Sequence, residues 1–229
     1  MRMNRIEGHL KGAKMNRARS CTAIFGIGLL ALLVWALPAS AGGSPIVYWK
    51  VVGIVSGEAN SPATTAHLPR PLANGDLVEM TFAINSGATS FVTGSYASYP
   101  TAITAVRVKG SDWAIQMRAP LSSGNIVITN DDPDYGDMLS LVANSPQVIG
   151  RTWYGVEVDL NNPGGPSPGV GPWQPFSSLA LPKSPPAIGF FPSQNFYLMA
   201  RRDQPGQAFD GIVYWGQILS MVAVKAQDD

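Results

Sequence analysis

Val78-Glu79-Met80-Thr81-Phe82-Ala83-Ile84 sets large apolar residues at every second position. Side chains of an extended strand point to opposite faces in turn. The run therefore buries Val78, Met80, Phe82 and Ile84 and leaves Glu79, Thr81 and Ala83 on the other face. Trp153-Tyr154-Gly155-Val156-Glu157-Val158-Asp159-Leu160 has the same period. Residues 46–55 and 212–224 are almost wholly apolar, with many β-branched and aromatic side chains, as central strands covered on both faces would be. Shorter strands are expected at 91–93, 102–108, 114–118, 125–129, 138–142 and 196–200. No window carries a capped helical stripe. About ten short strands separated by Gly, Pro, Asn and Asp predict an all-β fold, an antiparallel, jelly-roll-like β-sandwich.

The connections follow turn chemistry. Asn74-Gly75-Asp76, Asn85-Ser86-Gly87 and Ser123-Gly124-Asn125 place Asn or Gly where positive φ is wanted. A Pro/Gly-rich loop over 161–175 has too many prolines to join a ladder, and it carries Trp173.

Ahead of the first strand, Lys14, Arg17 and Arg19 precede fifteen mostly apolar residues, 23–37, and then Pro38-Ala39-Ser40-Ala41. This order is that of a secretory signal cleaved after Ala41, with translation starting at Met1 or at Met15. The apolar run is shorter than the roughly 20 residues that cross a bilayer, although a retained anchor is the alternative. Removing 41 of the 229 residues leaves 188, enough for one β-sandwich domain over 42–229. Six of the 16 basic residues and one of the 15 acidic residues go with the signal, which leaves 10 against 14, a formal −4. A mildly acidic chain with no basic block argues against nucleic acid as partner. The single cysteine, Cys21, lies before the apolar run, so the exported chain has neither disulfide nor thiol. A bacterial protein, secreted or periplasmic, with no membrane anchor after cleavage, is the expected product.

Enzyme templates fail on inventory. His67 is the only histidine after the signal, and no Gly-x-Ser-x-Gly accompanies it. Glycoside hydrolysis needs only two carboxylates, for which Glu79, Glu157 and Asp159 are the candidates. Glu157 and Asp159 share a face with Trp153, as a sugar cleft or an ordinary solvated face would arrange them. Asn130-Asp131-Asp132-Pro133-Asp134-Tyr135-Gly136-Asp137 gathers four carboxylates and an amide. Asn130, Asp131, Asp132, Asp134 and Asp137 suit calcium, which takes roughly six to eight oxygens. The same residues also suit a hairpin turn in which they bond backbone amides. Trp49, Trp113, Trp153, Trp173 and Trp215 follow the signal, and most are expected to fill the core. Trp173 either stacks on a sugar or pins its loop.

Several segments in order resemble a family of bacterial exported domains. These are Gly75-Asp76-Leu77-Val78-Glu79-Met80-Thr81-Phe82, Tyr99-Pro100-Thr101-Ala102-Ile103 and Ile126-Val127-Ile128-Thr129-Asn130-Asp131-Asp132. Asp137-Met138-Leu139-Ser140-Leu141, Phe176-Ser177-Ser178-Leu179-Ala180-Leu181-Pro182 and Phe209-Asp210-Gly211-Ile212-Val213 follow. Together they are similar to the β-sandwich domains of PEP-CTERM proteins, which carry a Pro-Glu-Pro sorting tail in exopolysaccharide-producing bacteria. The resemblance implies an extracellular setting and hands over no activity. This chain ends Val224-Lys225-Ala226-Gln227-Asp228-Asp229 without that tail, which implies release rather than sorting. The expected function is a secreted, non-catalytic binding or structural module, with extracellular polysaccharide or another exported protein as partner. Trp153, Trp173 and Glu157 are the expected ligand contacts, and no cofactor is expected besides calcium. The rival is a secreted glycan hydrolase using a carboxylate pair such as Glu157 with Glu79 or an Asp.

Overall fold

The alternating runs form strands. The computed structural model describes residues 45–60, 68–132, 136–148, 151–162, 176–202 and 211–226. Residues 1–44, His67, Asp134, Trp173 and all but the first two residues of the 161–175 loop lie outside them. The strands are β1 (Ile46–Asn60), β2 (Leu77–Asn85), β3 (Phe91–Thr93), β4 (Tyr96–Pro100), β5 (Ile103–Lys109) and β6 (Ala114–Arg118). They continue with β7 (Ser123–Asp132), β8 (Gly136–Asn144), β9 (Thr152–Asn162), β10 (Ser193–Arg202) and β11 (Gly211–Val224). The one helical element among the described residues is a 3-10 turn, Ile188–Phe190.

All eleven strands join one antiparallel sheet in the order β3-β4-β7-β8-β9-β10-β11-β1-β2-β5-β6. The sheet curls on itself, so that β5 also packs against β7 and β8, which it does not pair with. The two layers of the sandwich are thus halves of one sheet, joined where β11 meets β1. From β7 to β11 the chain runs as successive hairpins, and the last strand pairs with the first in mid-sheet. β3 and β6 form the two edges.

The inner face is apolar throughout. Trp49, Met80, Phe82, Ile84, Ile126, Ile128, Leu139, Leu141, Leu160 and Phe196 are fully buried. Each such side chain contributes about 1.5–3 kcal/mol of burial free energy, which explains how a chain without disulfides holds this shape. The join between the halves needs glycine. A Cβ on Gly216 would lie 2.1 Å from the Ile54 carbonyl oxygen and 2.4 Å from the Phe196 ring. Phe196 fills the space that Gly53 and Gly216 leave open, and the β1–β11 ladder shifts register on either side, at Val52/Gly53 and Val55/Gly57.

Three expectations are corrected. Ser123-Gly124-Asn125 is not a turn: it begins β7, and Gly124 is needed because the Ile103 carbonyl oxygen lies 2.3 Å from where its Cβ would be. β4 was not anticipated, since Tyr96-Ala97-Ser98-Tyr99-Pro100 is short and ends in proline. Of the tryptophans described, only Trp49 is core; Trp113 and Trp153 are half-buried and Trp215 is 39% exposed. Asn74-Gly75, by contrast, turns as expected, with Gly75 at φ +94°.

Segment 176–191 closes one end of the core. Phe176 and Phe191 are buried with ring centroids 5.8 Å apart, and the Tyr99 hydroxyl donates to the Leu179 carbonyl at 2.6 Å. The Gln194 amide donates to the carbonyls of Ile188 and Phe191, which fixes the turn leading into β10.

Candidate functional site

Because the inner face takes Val156, Val158 and Leu160 of β9, the outer face takes Trp153, Gly155, Glu157 and Asp159. Register then sets their neighbours. Glu157 lies opposite Val142 of β8 and Tyr197 of β10, and Tyr197 lies opposite Trp215 of β11. One row along, Ser140, Asp159, Asn195 and Gln217 follow each other across the same four strands.

Two of the rings lie down on glycines. The Trp153 ring covers Gly155, its Cη2 2.8 Å from where a Cβ would be, and so leans along β9 toward Glu157. The Trp215 ring covers Gly57, its register partner on β1, with Cζ2 at 2.5 Å by the same measure. A ring lying flat on a glycine shields that backbone and turns its other face outward. Tyr197 lies in register with Trp215, and Met199 lies between it and the Trp153 ring, so the three aromatic residues share the outer face of β9, β10 and β11.

Glu157 and Asp159 interact directly. Burial raises the Glu157 pKa above the ordinary carboxylate value, and the charge of Asp159 and a hydrogen bond to it raise it further. Burial also raises the Asp159 pKa, while hydrogen bonds from the Ser140 hydroxyl and from Glu157 pull it back. The two carboxyls thus act on each other, and both take up protons more readily than free carboxyls do. Glu79 is not brought to this site. Four strand spacings separate β2 from β9, on the order of 19 Å along the sheet. Glu79 instead faces Lys50 at 3.7 Å.

The acidic loop is braced from within. Asp137 is 5% exposed, and its carboxylate accepts the amides of Asp131, at 2.7 Å, and Phe176. Burial nevertheless raises its pKa. The Ser95 hydroxyl donates to Asp132, and Thr129 donates to the Gly136 carbonyl at 2.8 Å. Asp131 takes φ +53° and Gly136 φ +64°, the tight reversal that Asp and Gly accommodate. Asn130 Oδ1 is hidden from solvent without a hydrogen-bond partner. Among the described residues no three His, Cys, Asp or Glu side chains converge as a metal site would require.

Of the expected ligand contacts, Trp153 and Glu157 fall on one face. Tyr197, Asn195, Trp215, Gln217 and Ser140 were missed. The pairing of β9 with β10 and β10 with β11 brings them in, and sequence spacing carries no signal for it. Among the described residues no helix is long and apolar enough to cross a membrane. No family model, no curated protein and no solved structure matches this chain.

Proposed function

We propose that this chain is an exported, non-catalytic module that binds extracellular polysaccharide through the outer face of β9, β10 and β11. The observation that supports this most is the aromatic strip of Trp153, Tyr197 and Trp215 beside Glu157, Asp159, Asn195 and Gln217. Sugar rings present apolar C–H faces that stack on exposed aromatic rings, and their hydroxyls seek carboxylate and amide oxygens. The PEP-CTERM resemblance supports a bacterial, extracellular or periplasmic setting after cleavage near Ala41. Binding without turnover is favoured over hydrolysis because Glu157 and Glu79, a carboxylate pair a hydrolase could use, lie four strand spacings apart. Calcium belongs to the proposal at the Asn130–Asp132 end of the acidic loop, where Asn130 Oδ1 is an oxygen without a donor.

Affinity electrophoresis against neutral polysaccharides tests this reading, run with calcium and with chelator. One polymer should retard the protein, and Trp215→Ala and Tyr197→Ala should each weaken retardation on the order of tenfold without loss of fold. Equal retardation of both variants, or none across the panel, counts against the aromatic face.

A further inference from the structure

The other half of the sheet presents a different surface. On β1, β2, β5 and β6 the inner face takes Trp49, Val51, Met80, Phe82, Val106, Val108, Ile115 and Met117, so the intervening residues face outward. Register places these in three rows. Val52, Glu79, Lys109 and Ala114 form the first, Lys50, Thr81, Arg107 and Gln116 the second, and Tyr48, Ala83, Ala105 and Arg118 the third. Rows lie roughly 7 Å apart and strands about 4.8 Å apart, so Lys50, Arg107, Lys109 and Arg118 fall within a patch about 15 Å across. Glu79 is the one carboxylate in these rows. Four of the ten basic residues that follow the signal segment thus share one outer face of a chain whose formal charge there is −4.

An open groove of about 410 Å³ continues this patch at the Lys109 end. Its walls are the segment from Arg70 to Leu77 and the turn between β5 and β6, with Glu79, Lys109 and Trp113 among the lining residues. Arg70 joins the two walls by its 2.9 Å ion pair with Asp112, whose carboxylate also accepts the Ser111 hydroxyl. The volume falls within the roughly 300–1,000 Å³ of small-molecule sites. Trp113 lies on Gly110, its Nε1 2.3 Å from where a Cβ would be, and is half-buried against the core.

We infer that this patch and groove bind an acidic polysaccharide, a chain of sugars bearing carboxylates. Lys50, Arg107, Lys109 and Arg118 meet its carboxylates, the Trp113 ring takes the apolar face of one sugar, and Asp76 and Glu79 accept hydroxyls. The carboxylates at the groove, Asp76, Glu79 and the Arg70-paired Asp112, argue for a polymer whose charges are spaced by neutral, hydroxyl-bearing rings. A nucleic acid duplex, with a charge every ~1.7 Å, would press phosphates against them. This surface stands apart from the aromatic face proposed above, and either can fail without the other.

The test uses the purified protein and three probes: polygalacturonate, a neutral β-glucan and single-stranded polynucleotide. Polygalacturonate should retard the protein at about 20 mM salt and release it near 0.5 M, where the Debye length has shrunk to a few Å. The double variant Lys109→Gln, Arg107→Gln should weaken this at least about tenfold, and Trp113→Ala should weaken it as well. Lys109→Gln alone, at an exposed side chain, serves if the double variant unfolds, and should still lower affinity severalfold. Trp215→Ala should leave polygalacturonate binding unchanged while reducing binding to the neutral glucan. Absence of retardation by polygalacturonate overturns the inference, as does binding indifferent to salt or to the Lys109 substitution. Tighter binding of the polynucleotide than of polygalacturonate would also overturn it and reassign the patch to phosphate.

Discussion

The two halves of this sheet share an interior and differ in their outer faces. Over β8–β11 the outside holds Glu157, Asp159 and an aromatic strip, with Arg201 as its one cation. Over β1, β2, β5 and β6 it holds four cations against Glu79. The inner faces explain the fold, since both are apolar and meet each other. The outer faces owe nothing to that requirement, and polar positions that only had to stay wet could have mixed both signs of charge. Their segregation is what supports the proposal of two binding surfaces, one for neutral rings and one for acidic chains.

The largest expected effect lies at the seam that keeps the two faces in one sheet. Gly216→Val places a Cβ 2.1 Å from a backbone oxygen that cannot rotate away, and drives the Phe196 ring from its place. We expect a loss of about 3 kcal/mol or more, read as a lower urea midpoint. An unchanged midpoint would show that the β1–β11 ladder gives way easily, and would break the picture of two rigidly related faces.

Why the seam, and not the strands, escaped the sequence is instructive. Alternation located β2 and β9 because their outer residues are polar or small. Residues 212–224 are apolar at nearly every position, so parity there could not tell Tyr214, which is buried, from Trp215, which is not. The same ambiguity hid the aromatic strip. Nothing local indicates that β11 pairs with β1, since antiparallel pairing of distant strands depends on the whole topology. The basic patch was hidden for a related reason: Lys50, Arg107, Lys109 and Arg118 form no block in the chain, and only the register of four strands assembles them. Glu157 and Asp159 were legible as neighbours through their i, i+2 spacing, whereas the raised pKa of each depends on burial that spacing does not report.

A smaller effect sharpens the electrostatic contrast between the faces. Folding raises the pKa of both Glu157 and Asp159, so the folded state holds protons more tightly than the unfolded chain does. The pair's favourable contribution is therefore fully present below the unfolded values, near 4, and is lost as pH rises through the higher folded ones. Glu157→Gln should raise Tm at pH 7, on the order of 1 °C for a side chain this exposed, and by less at pH 4. Glu79→Gln on the other face removes an ion pair with Lys50 instead and should give no such gain. A destabilised Glu157→Gln at pH 7 would mean that the ionised pair is held by a cation.

The smallest effect contrasts an inner tryptophan with the outer ones. Trp49 is fully buried, yet its indole Nε1 has no hydrogen-bond partner. A buried N–H left without an acceptor costs about 1–3 kcal/mol, and Phe removes it while giving up part of the ring volume. These terms oppose each other, so Trp49→Phe should change stability by less than about 1 kcal/mol in a urea melt. Were the loss instead to approach the ~3 kcal/mol of a large cavity, the N–H must find an acceptor in solution. The indole at 49 thus serves by its bulk, whereas those at 113, 153 and 215 pack on glycines and keep part of the ring in solvent.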